Sequence, residues 1–227
     1  MKRNLILSGG AVHDFEQTST VLADLLSSAH IESEICVDFG VLDEGPLVEF
    51  DMVTLNCARW TCSQPEVSPD WREDGLFELS EAARGNLVAF LSGGRGLLAL
   101  HAATLCFDDW PEYSEILGAR WEWGRSGHAP FGRHPMRVKT GAHPITRGIH
   151  DFIIDDELYS DPRLQDSVFP LIEADWDGRR HPILWTRGYA GGRVCYNALG
   201  HGPEAFSHPV NRTLLQRCAH WALRQLG

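Results

Sequence analysis

The sequence predicts one α/β domain, residues 1–227, built on a doubly wound, mostly parallel sheet with a His/Pro-rich loop insertion. Three observations carry that expectation. Apolar strand-like runs alternate with segments of helical period, the pattern of successive βαβ units. The run "FDMVTLNCA" has almost no polar face, as a strand covered by helices on both sides requires. The length of 227 residues suits one domain of this class, large enough to bury a core without disulfide staples.

The elements follow in order. "NLILSGG" is a first strand closed by Gly9 and Gly10. "EQTSTVLADLLSSAH" places Val21, Leu22, Leu25 and Leu26 at helical spacing. "IESEICVDF" and "FDMVTLNCA" read as the next two strands. "DGLFELSEAARGNLVAFLSGG" repeats apolar residues at intervals of three and four, which predicts a helix ended by Gly93 and Gly94. "GLLALHAA" is the fourth strand, and "WPEYSEIL" a short helix capped by Gly118. From Trp121 to about Leu171 the chain turns rich in His, Pro, Arg and Asp, with short strands expected at "HPMRVKT" and Phe152–Ile154. "HPILWTRGYAGGRVCYNALGH" is a strand pair turning at Gly191-Gly192. In the last helix Leu214, Leu215, Cys218, Trp221, Ala222 and Leu226 form one apolar face.

The formal net charge of -11 argues against a general binder of nucleic acid or anionic membrane. No stretch approaches the roughly 20 apolar residues of a membrane helix. The apolar run after Lys2 and Arg3 is too short for a signal core, so a cytoplasmic location is expected. Six cysteines without a CxxC pair predict reduced thiols. GxGxxG, GxxxxGK[ST] and GxSxG are all absent, which argues against a nucleotide loop and a serine elbow.

Histidines carry the chemistry. Ligands of doubly wound sheets sit outside the C-terminal strand ends, and His13, His101 and His201 each follow a predicted strand. Three imidazoles at one sheet edge can hold a metal ion or move protons, so these three are candidate ligands for a divalent cation. Glu157, between an apolar strand and Tyr159, is expected to face the same pocket and join His13, His101 and His201 as a catalytic group. Asp14 beside His13, His128 and His134 in the insertion, Tyr159 and Trp60 are candidate substrate contacts.

Several phrases together resemble one family. "GG" and "HDF" open the chain; "GRGLLALHAAT" with "WPEYSEILGARW" is the strongest block; "HPITRGI", "FIIDDELY", "PILWTRGYAGGRVCYNALGH" and "LLQRCAHWA" complete the order. The chain resembles the ThuA-like, trehalose-utilisation family over about 200 residues, and that family resembles the class I glutamine amidotransferase, flavodoxin-like fold. The resemblance implies that His101 occupies the elbow where amidotransferases carry a cysteine nucleophile. Cys106 lies five residues beyond it, while His201 and Glu204 in "GHGPE" match the late histidine and glutamate of that triad. Glutamine hydrolysis by a thiol is therefore expected to be absent. The resemblance further implies a keto-sugar or glycoside as small-molecule partner, isomerised or eliminated by acid–base chemistry, and a homodimer. A non-catalytic carbohydrate-binding or regulatory protein and a metal-dependent hydrolase are the alternatives.

Overall fold

The computed structural model describes residues 1–45, 47–65, 67–139, 141 and 143–226. Leu5 to Leu7 of β1 (Lys2–Gly10) are wholly buried, and the chain passes through α1 (Phe15–Ser27) to β2 (Ile31–Cys36), parallel to β1 on one side. β3 (Met52–Ala58) pairs parallel with β1 on the other side, so strand order reverses at β1. Such a reversal opens a crevice at the C-terminal strand ends, because the loops leaving β1 and β3 diverge. α2 (Pro69–Gly75) and α3 (Glu81–Ser92) lead to β4 (Gly96–Leu100), parallel to β3. Every residue of β3 and β4 is buried, which explains their unbroken apolar sequences. α4 (Pro111–Leu117) starts at a proline and stops at Gly118, whose φ of +85° is left-handed.

The His/Pro-rich segment is woven from short strands: β5 (Ala119–Arg120), β6 (Gly127–His128), β7 (Gly132–Val138), β8 (Phe152–Asp156), β9 (Tyr159–Ser160) and β10 (Arg163–Leu164). β11 (Pro170–Trp176), β12 (Arg179–Tyr189), β13 (Gly192–Asn197), α5 (Pro203–Ser207) and α6 (Pro209–Ala222) finish the chain. One nine-stranded sheet runs β2-β1-β3-β4-β13-β12-β11-β7-β8. Its first five strands are parallel, and every pairing from β13 outward is antiparallel. β5 pairs with β10 and β6 with β9 as small separate ladders. The buried face of α6, with Leu214, Leu215, Cys218 and Ala222, lies over β4 and β13.

One boundary differs from the sequence expectation. The helix expected from Asp74 begins only after Ser80, whose Oγ accepts the Ala83 N–H at 3.0 Å. Residues 75–77 are tied instead to the Trp60 backbone, whose N–H donates to the Gly75 carbonyl and whose carbonyl accepts the Phe77 N–H. Among the described residues no helix is long and apolar enough to cross a membrane.

Two glycines make opposite predictions. Gly10 has φ +108°, and a Cβ there would collide with the Ala58 carbonyl. Gly10→Ala is expected to cost about 2 kcal/mol or more of unfolding free energy. Gly85, on the exposed side of α3, has nothing within 4 Å of its missing Cβ. Gly85→Ala should gain about 0.5–1 kcal/mol by urea denaturation.

Candidate active site

β4 stops at His101, whose φ of +42° is left-handed, a strained conformation for a residue with a side chain. The chain then tightens into a 3-10 turn, His101–Leu105. Two buried hydrogen bonds hold this elbow. The Tyr196 hydroxyl donates to the His101 carbonyl at 2.7 Å, and His101 Nδ1 donates to the Ala198 carbonyl at 2.6 Å. A carbonyl only accepts, so Nδ1 carries the hydrogen and Nε2 presents a lone pair.

That lone pair meets three other groups. His13 rises from the loop after β1, beside Val12, another left-handed residue at φ +74°. His201 follows β13, and Glu157 follows β8. The His13 ring centroid is 4.7 Å from that of His101 and 4.8 Å from that of His201. Glu157 Oε2 lies 3.7 Å from His101 Nε2 and 3.1 Å from His201 Nδ1. One ligand-capable atom from each of the four lies within 4.8 Å of all the others. His128 Nδ1 is 3.5 Å from Glu157 Oε1 on the solvent side. The Tyr159 ring packs 4.2 Å from His101, and its hydroxyl is 3.5 Å from His13 Nε2.

Burial and mutual charge set the protonation states. Burial, then the neighbouring His101 and His201, drive His13 down to about 2, so it is neutral. Burial resists ionisation of Glu157, but the surrounding imidazoles of His101, His128 and His201 outweigh it and hold the carboxyl at about 2. Burial pushes the Tyr159 hydroxyl up, so it stays protonated. His13 Nδ1, His101 Nε2 and His201 Nδ1 are buried without a hydrogen-bond partner. Unpartnered nitrogens around an ionised carboxylate form a set of acceptors that lacks a positive centre. Ligands at 2.0–2.1 Å from a tetrahedral ion stand about 3.3 Å apart, which the Glu157 contacts of 3.1 and 3.7 Å bracket. Imidazole-rich N/O donors suit zinc or a first-row transition ion better than magnesium or calcium. The bond from His101 Nδ1 to Ala198 is the outer contact that orients such a ligand.

The structure thus gathers His13, His101, His201 and Glu157, with His128 and Tyr159 beside them. Three expected contacts lie elsewhere. Asp14 is exposed and caps α1, accepting the Gln17 N–H at 2.9 Å. His134 points from β7 to the Pro130 carbonyl and the Trp176 ring. Trp60 is fully buried against Gly75 and Trp123, so it has no free face for a sugar. Glu204 is exposed on α5; the carboxylate beside His201 is Glu157. Cys106 lies behind the elbow, 3.6 Å from the buried Cys57 thiol.

Asp156 escaped the sequence reading. It is completely buried, and burial raises its carboxyl against the pull of its hydrogen bonds. It accepts the backbone N–H groups of Glu157, Gly200 and His201 at 2.9, 2.8 and 3.0 Å. The alternation of buried Ile154 and Asp156 with exposed Ile153 and Asp155 was the available signal.

A strained strand-end elbow in a doubly wound sheet, bearing histidine and facing a His/Glu cluster, defines an amidotransferase-like α/β fold with a different centre. The chain belongs to the ThuA family, whose model, described as trehalose utilisation, matches residues 3–222. A ThuA-like protein from Parabacteroides merdae superposes with TM-score 0.79 at 19% identity, covering 98% of this chain and 90% of its own. A cytoplasmic protein from Salmonella typhimurium gives 0.66 at 13% identity over 98% and 99%. The fold also matches part of a cold-adapted β-galactosidase from Rahnella sp. R3, with TM-score 0.64 at 12% identity over 99% of this chain and 31% of that one. No curated protein matches the chain in sequence.

Removing the Asp156 carboxylate strands three buried N–H groups. Asp156→Ala is expected to cost more than about 3 kcal/mol in denaturant unfolding.

Proposed function

We propose that this chain is a metal-dependent enzyme of sugar utilisation that moves protons on a keto-sugar or glycoside, by isomerisation or elimination. The observation that carries the reading is the set of unpartnered imidazole nitrogens around ionised Glu157, in a chain of the trehalose-utilisation family. His13, His101, His201 and Glu157 would hold a divalent cation, which supplies electrophilic stabilisation of an enediolate or carbonyl oxygen.

The remaining roles fall to the chain itself. His128 is 45% exposed on the solvent side of Glu157, where an imidazole can pass a proton between substrate and water. Tyr159 keeps its proton and offers a hydrogen bond beside His13. Phe131, with its ring 5.4 Å from that of His201, forms an apolar rim. Cys106 donates its thiol to the Cys57 carbonyl behind the elbow, so thiol attack has no place in this chemistry. The six free cysteines agree with a cytoplasmic setting.

Elemental analysis of untagged protein should find close to one first-row divalent metal per chain, lost in His101→Ala. A metal-free wild type with full turnover would sink the reading. In keto-sugar isomerisation and elimination assays, His128→Gln should lose on the order of 10²-fold in turnover with its metal retained. Cys106→Ser should stay within about two-fold of wild type, as expected for a thiol outside the reacting centre.

A further inference from the structure

A cavity of about 590 Å³ takes no part in the chemistry above and shares no lining residue with the histidine cluster. Its walls come from the loop after β3, the turn and helix after β4, and residues 120–123. The volume falls within the roughly 300–1,000 Å³ of pockets that hold small ligands.

Carboxylates and indoles dominate the lining. Glu78, Asp108, Asp109 and Glu122 stand there against one guanidinium, Arg120. Arg120 lies 3.8 Å from Glu122, and Asp109 pairs with Arg84. Among the described residues Glu78 and Asp108 form no ion pair, so two negative charges are left unanswered. Asp108 is held in place, since it accepts from the Thr61 N–H, the Thr61 hydroxyl and the Gln64 amide at 2.8–3.0 Å. The Trp121 and Trp123 rings, 6.2 Å apart with their planes at 66°, make a corner of two indoles. Indole faces carry negative charge and attract a cation within about 6 Å of the ring centroid. A third lining indole already does so within the chain: the Arg84 guanidinium lies 6.0 Å from the Trp110 ring. Fixed charge and rigid rings in place before a ligand arrives lower the cost of binding it.

Two polar atoms of lining residues are buried without a partner. Trp121 Nε1 is a donor and Asp109 Oδ1 an acceptor. Such atoms are costly to leave bare, and a hydroxyl, which both accepts and donates, answers either one. The net charge of -11 adds a field that draws cations toward the molecule.

We propose that this cavity binds an alkylated organic ammonium ion that also carries a hydroxyl, with its charge among Trp121, Trp123 and Asp108. Indole corners favour alkylated ammonium because its apolar skin is cheaper to dehydrate than bare N–H groups. The site is separate from the histidine cluster and stands whether or not that cluster holds a metal.

Calorimetry on the full chain tests it, with choline as the probe and 3,3-dimethylbutan-1-ol, the same shape without the charge, as its control. Choline should bind at least about ten-fold more tightly than the neutral alcohol. Trp123→Leu and Asp108→Asn should each weaken choline by about five-fold or more, and Asp108→Asn should leave the alcohol unchanged. Glu157→Gln, which removes the carboxylate of the histidine cluster, should leave choline affinity within about two-fold of wild type. Thermal melts check that the variants fold; Asp108→Asn carries the test if Trp123→Leu does not. No binding of choline, equal affinity for choline and the alcohol, or choline binding indifferent to Asp108→Asn overturns the site. Choline binding that Glu157→Gln abolishes places the cation at the cluster and overturns it equally.

Discussion

Asp156 is the joint on which the site depends. It ends β8, the outermost strand of the antiparallel half, yet its carboxylate bonds to the loop that leaves β13 at the middle of the sheet. For those atoms to meet, the antiparallel half must curl back over the C-terminal end of the parallel half. Strand twist supplies curvature of this kind, since each strand is rotated by roughly 20–25° on its neighbour. Burying a carboxylate is costly unless its lone pairs are filled, and the three backbone N–H groups fill them. The same bonds fix the backbone of Glu157 and His201, so the two groups reach each other at 3.1 Å because of a third residue that touches neither side chain.

The elbow is the second constraint. A left-handed His101 costs conformational energy of order 1–3 kcal/mol, and the surrounding core sustains it. Leu98, Ala99, Leu100 and Ala102 are buried, and Tyr196 and Ala198 pin the two polar ends of His101. The imidazole is thereby fixed in tautomer and direction before any ligand binds. The position that carries a nucleophile in the amidotransferase arrangement has been turned into a fixed lone pair.

Much of this was legible in the sequence where burial on both faces leaves an unbroken apolar run. β1, β3 and β4 were visible for that reason, and the strand-end rule then led from them to His13, His101 and His201. The antiparallel strands β7, β8 and β11 have one wetter face; "HPMRVKT" and Phe152–Ile154 still read as the short strands that are β7 and β8, whereas the mixed composition of β11 gave no strand signal. Sequence neighbours misled twice. Asp14 adjoins His13 but is consumed as a helix cap, and His134 shares a segment with His128 but sits on a strand that aims it at Trp176. Trp60 failed for another reason: a bridge to Leu76, 16 residues on, encloses it. Glu157 was found by its setting between a strand and an aromatic, whereas the deciding carboxylate next to it needed the tertiary contact to be seen.

The proposed ligand set draws on both halves of the sheet. Its histidines leave three parallel strands, β1, β4 and β13, and its carboxylate leaves the far antiparallel edge. The set therefore spans positions 13 to 201, and no contiguous fragment holding only one half of the sheet carries all of it. Closing it demands pairings distant in sequence, whose loop-closure entropy must be met before the groups converge. On the proposed reading, cation capture would be a quality check on the chain's own assembly: a misregistered or nicked copy would present scattered imidazoles, and only a correctly wound one a chelate.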